Sequence, residues 1–217
     1  MDIFHTEREK KILKCVYTTL PYRLKAFDTV RNYQFLYIHP NKDVREITES
    51  IREASALYTS KHHEKVVMLI MMPILNLCCR NEKYAKVTSN ILTEILGRKI
   101  KIDVIEPFSK LTMLTLKLLI KTAYKLILQR TYATNQMHDF LSNCSNETIN
   151  FIHKIVDEQL KKEFDEKEYK MHLMFFEIGL YIVYQDTAFR DPFFWVLNRH
   201  ARLEIQKAIE KYVKQPK

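Results

Sequence analysis

The sequence predicts an all-α fold: a single compact multi-helix domain, 1–217, of about eight or nine helices. Three observations carry this expectation. Gly97 and Gly179 are the only glycines in 217 residues, against an average usage of about 7%, so the positive-φ positions of β-hairpin turns are scarcely supplied. Apolar residues recur along most of the chain at helical rather than alternating spacing. Three runs, near 66–79, 109–130 and 171–184, are apolar around most of a helical circumference. They predict central helices surrounded by amphipathic ones.

Thr6 with Glu9 makes a capping-box pattern ahead of a first helix whose apolar face is Ile12, Leu13, Val16, Tyr17 and Leu20, ended or kinked by Pro21. Leu24, Phe27 and Val30 suggest a second helix, with Phe35–Ile38 as its last turn or a short extended piece. Asn41 is placed to cap a half-exposed helix over 42–58, and Ser60 to cap the apolar run that Pro73 should kink. That run spans fourteen residues, too few to cross a bilayer, which takes about 20.

Tyr84, Val87, Ile91 and Ile95 line one face of the next helix, and Gly97 is its natural stop. Residues 98–105 alternate charged and apolar, as a strand would, but no convincing second strand exists to pair with them. They read as an extended connector to Pro107. Ser109 to Arg130 then forms a Gly- and Pro-free helix, with Lys110, Lys117, Lys121 and Lys125 on one narrow strip and Leu111, Leu116, Leu118, Leu119, Ile120, Ala123, Leu126 and Ile127 on the rest. It is expected to be wrapped by protein on most sides.

Met137, Phe140, Leu141 and Cys144 support a short helix, and Ser145 is placed to cap 146–164. The charged run 161–170 reads as a solvated face or a loop, and 171–184 as the third central helix. Asp191-Pro192 predicts the start of a final helix running to about Val213.

Net charge is +9 and unevenly placed: residues 81–130 hold ten Lys/Arg against four Asp/Glu, and 131–170 hold five against eight. The excess favours an anionic partner. Cys15, Cys78, Cys79 and Cys144 contain no CxxC pair, and the N-terminus lacks an apolar signal core. Free thiols and an intracellular location, cytoplasmic or nuclear rather than secreted, are the expectation.

No phosphate loop, dinucleotide fingerprint, nucleophile elbow or HExxH zinc motif occurs. Consecutive residues on a helix diverge, so His62-His63-Glu64 does not converge on an ion. Glu168, His172 and Glu177 lack the Glu-x-x-His spacing of a di-metal bundle. Cys144 stands off the i, i+3/i+4 positions from both His138 and His153, and His200 reads as a polar helix-edge residue. No catalytic residue, cofactor or metal is therefore expected. The functional expectation is a non-enzymatic interaction or regulatory protein that binds another protein. Its Gly-poor, Lys-, Ile- and Tyr-rich composition fits viral and phage accessory proteins. The alternative is a nucleic-acid-binding protein using the basic surface of 83–130. In either case the residues nominated for an anionic partner are Arg98, Lys99, Lys101, Lys110, Lys117, Lys121, Tyr124, Lys125 and Arg130.

Overall fold

The computed structural model describes residues 36–58, 75, 77–128, 134–185 and 187–213. The expectations for the N-terminal helices and for most of the 66–79 run lie outside these residues. Among the described residues eight helices have defined bounds: α1 (Lys42–Tyr58), α2 (Glu82–Leu96), α3 (Lys110–Leu128), α4 (Thr134–Ser142), α5 (Glu147–Glu163), α6 (Glu166–Gln185), α7 (Thr187–His200) and α8 (Leu203–Val213). The fold is all-α, with no strand among the described residues.

Local chemistry sets most boundaries. The Asn41 side chain accepts from the amides of Asp43 (2.8 Å) and Val44 (3.2 Å), satisfying donors that the first turn of α1 leaves open. Asn81 accepts from Tyr84 N–H and starts α2, while Gly97 ends it at φ 69. The connector 98–105 forms no strand. Instead, Ile100 and Ile102 are buried against α2, their amides donating to Thr93 Oγ1 (2.9 Å) and Ser89 Oγ (2.9 Å). Alternation here places two isoleucines on a helix rather than in a sheet.

Several expected boundaries are corrected. Asn146, not Ser145, caps α5, through a 3.0 Å bond from Ile149 N–H. Residues 161–170 are neither a loop nor one helix face: Phe164 and Asp165 make a tight corner, where Phe164 is buried and Asp165 accepts from the amides of Lys167 and Glu168. The final helix is two helices. α7 begins at Thr187 and carries Pro192 inside it. The missing amide removes one backbone bond, which the burial of Phe194 and Leu197 offsets. The chain then bends at 201–202, so that α8 turns back along α5 with Lys211 reaching Glu147 (3.3 Å) and Arg202 lying over the Phe151 ring (5.2 Å).

α6 is the central helix, packed on α5, α7 and α4 and burying Leu173, Met174, Glu177, Ile178, Leu180 and Tyr181, as its apolar run requires. α3 departs from expectation. Its strongest described packing is a short contact with α6, and Leu111 (73%), Leu114 (56%) and Leu118 (56%) are exposed. This face of α3 is therefore exposed, where the expectation places Leu111 and Leu118 in the covered arc. No helix among the described residues is long and apolar enough to cross a membrane.

Candidate functional site

Seven large hydrophobics are exposed among the described residues, and three of them, Leu111, Leu114 and Leu118, sit on α3 at i, i+3 and i+7. Lys110, Lys117, Lys121 and Lys125 are exposed on the same helix. At about 100° per residue, all seven fall within an arc of about 120°. Lysines crowd one edge, leucines the other, and Leu114 lies between. α3 carries no acidic residue. Among the described residues Lys117 alone of these four lysines forms an ion pair, 3.6 Å from Glu168, which also pairs with Lys83 at 3.0 Å. Tyr124, just outside the lysine edge, is half-buried and packs on the core.

The other nominated residues lie elsewhere. Arg98 pairs with Asp43, and Lys101 pairs with Asp103 at 2.7 Å while its carbonyl accepts from Asn41. With Lys99 they belong to the connector that follows α2 and lies along it, whereas Lys117 shares Glu168 with Lys83 at the N-terminal end of α2. The connector runs back along α2, with Ile102 bonded to Ser89, and neither Arg98 nor Lys101 shares an ion pair with the α3 lysines. A shallow hollow of about 440 Å³ beside the connector is lined by Lys86, Lys99 and Lys101 but also by Glu82 and Asp103, so its charge is mixed. Arg130 lies outside the described residues.

Sequence reasoning passed over a second constellation. His138 on α4, His153 on α5 and Glu177 on α6 meet. Glu177 Oε1 accepts from His138 Nδ1 (2.6 Å) and His153 Nε2 (2.8 Å). His153 and Glu177 are buried, whereas the His138 side chain is 42% exposed. A buried carboxylate must be matched by donors, and two imidazoles supply them. The available signal was a glutamate inside one of the three highly apolar runs, flanked by residues that face the core.

A third cluster is aromatic. His172 on α6 touches Tyr84 on α2 (Oη to Nε2, 3.2 Å) and stacks obliquely on Phe164 (4.3 Å between centroids). Burial, assisted by Lys83 and Lys117 and opposed by Glu168, pushes its pKa down to about 4. Burial likewise raises Tyr84. Tyr84 therefore keeps its proton and donates to a neutral imidazole. Ser50 Oγ lies 2.6 Å from His200 Nε2, a nucleophile–base spacing. Ser50 is however buried at 2% exposure, so the pair ties α1 to α7 and leaves no room for a substrate. Cys78, Cys79 and Cys144 are free thiols. Burial raises Cys79 to about 12, which makes it inert as a nucleophile.

No family model, curated protein or solved structure matches this chain.

Proposed function

We propose that the protein is a non-enzymatic helical interaction module that docks a partner protein on the exposed face of α3, the partner presenting an apolar strip edged by carboxylates. One observation carries this reading: Leu111, Leu114 and Leu118 are exposed among four exposed lysines on a helix without acidic residues. Burying a leucine side chain is worth about 1.5–3 kcal/mol, so three form the apolar centre of a small interface, with lysines as its polar rim. The lysines alone would suit a phosphate backbone. Leucines in the same arc favour a protein surface, because phosphate offers them no apolar contact.

The test places a photo-crosslinking residue at Leu114 and, as a control, at Glu204, which is 79% exposed on α8. The expected result in the native cell is a protein adduct of discrete mass from position 114, absent from position 204 and lost with Lys117→Glu plus Lys121→Glu. Equal adducts from both positions, or none from 114, would contradict the reading. Oligonucleotide binding that those lysine reversals abolish, and that Leu111→Ser with Leu114→Ser and Leu118→Ser leaves intact, would move the assignment to nucleic acid.

A further inference from the structure

The His138–His153–Glu177 cluster lies apart from the face of α3, and its chemistry differs. Each side chain comes from a different helix, α4, α5 and α6, and the three offer one ligand atom each, all within 4.8 Å of one another. The two ring nitrogens do not simply touch the carboxylate at separate places: both aim at the same oxygen, at 2.6 and 2.8 Å. The ring centroids are 5.3 Å apart. Three donors thus converge on one small volume. That convergence distinguishes the cluster from a chain of hydrogen bonds laid across a core.

The donor set is two imidazole nitrogens and one carboxylate oxygen, which suits zinc and its first-row neighbours and is poorly suited to magnesium or calcium. Bonds of about 2.0–2.2 Å at tetrahedral angles set neighbouring ligand atoms about 3.3 Å apart. The nitrogens must therefore withdraw from Oε1 by about 0.6 Å and, standing within 4.8 Å of each other, close toward one another by up to about 1.5 Å to admit an ion. His138 can supply most of this movement, because it sits on the short helix α4 and its ring is half exposed. The same exposure provides the entry path and leaves one side open to water. His153 and Glu177 are held by the core on the other side, each with a side chain only 4% exposed.

The proton balance is simple. Without an ion, His138 Nδ1–H and His153 Nε2–H donate to the carboxylate. With an ion bound, these nitrogens become ligands, and each proton moves to the other nitrogen of its own ring. Asp157, one turn beyond His153, lies near enough to His138 to interact with it electrostatically. It is held by Lys161 Nζ (2.6 Å) and by the Tyr169 hydroxyl, and adds negative charge beside the site.

We propose that His138, His153 and Glu177 bind one divalent transition-metal ion of the zinc class, with water completing the coordination from the His138 side.

The experiment uses the full chain, stripped with chelator and titrated with Zn²⁺ by calorimetry and with Co²⁺ by visible absorption. The expected result is one equivalent bound at micromolar affinity or better, with the intense bands of four-coordinate Co²⁺. Zn²⁺ should raise the melting temperature. His138→Ala, whose half-exposed position spares the fold, should weaken binding by about 100-fold and abolish the thermal shift, and Glu177→Gln should do the same. His62→Ala with His63→Ala should leave both readouts unchanged, since the proposed protein ligands are His138, His153 and Glu177 alone. Absence of stoichiometric binding, binding insensitive to His138→Ala, or binding lost in the His62/His63 variant would each overturn the assignment. The melting temperature of His138→Ala without metal serves as the folding check, and a wild-type value there makes its binding result decisive.

Discussion

Lowering the pH from 7.5 to 5.5 should destabilise this protein measurably through His172 alone. The imidazole is enclosed by Tyr84 and Lys83 of α2, Phe164 at the α5–α6 corner, Glu168 of its own helix and Lys117 of α3. Burial lowers its pKa from 6.5 to about 4. Between those values the unfolded chain binds a proton that the folded protein refuses, so stability from this group is complete above 6.5 and falls as pH drops. The linkage relation gives a loss of about 1.3 kcal/mol between pH 7.5 and 5.5, approaching about 3 kcal/mol below pH 4. Protonation would also cost Nε2 its role as acceptor for the Tyr84 hydroxyl. The assay is equilibrium urea unfolding at both pH values for the wild type and for His172→Phe, which keeps a ring in the aromatic cluster. Burial lowers His39 and His200 as well, and they contribute alike to both proteins, so the difference between the two pH responses isolates His172. The wild type should lose about 1.3 kcal/mol more than the variant. Equal losses would refute the argument that a neutral, desolvated imidazole is built into the fold.

Three further outcomes follow from the same structure. Gly97→Ala should lower the melting temperature, because φ 69 costs an L-residue about 1–2 kcal/mol and the new methyl would lie 2.7 Å from Arg202 Cβ; a melting temperature equal to wild type would contradict this. Asn146→Ala should cost about 1 kcal/mol by leaving the Ile149 amide uncapped, and urea unfolding with Asn146→Asp as the near-neutral comparison checks it. Leu111→Ser, Leu114→Ser and Leu118→Ser should each change stability by no more than about 0.5 kcal/mol, since these side chains are exposed; thermal unfolding showing a loss of several kcal/mol would mean that they belong to the core.

The sequence by itself determined the helical class and most helix ends. Asn41 and Gly97 act through backbone groups within four residues of themselves, so near neighbours suffice to recognise them. It also marked 171–184 as central, because an apolar run with a wide face can be satisfied only by burial. Tertiary structure decided the rest. Leu111 and Leu118 border the lysine strip of α3, and a helical projection alone assigns them to the covered arc. Their exposure depends on which helices come to lie beside α3, and that is a competition among all the apolar faces of the chain. Pro192 and the bend at 201–202 show the same principle, since local signals for a helix start and a continuous helix yielded to the packing of α7 and α8. The meeting of His138, His153 and Glu177 joins residues 39 and 24 positions apart. No spacing rule within one helix encodes it, because the contact exists only once α4, α5 and α6 share a core.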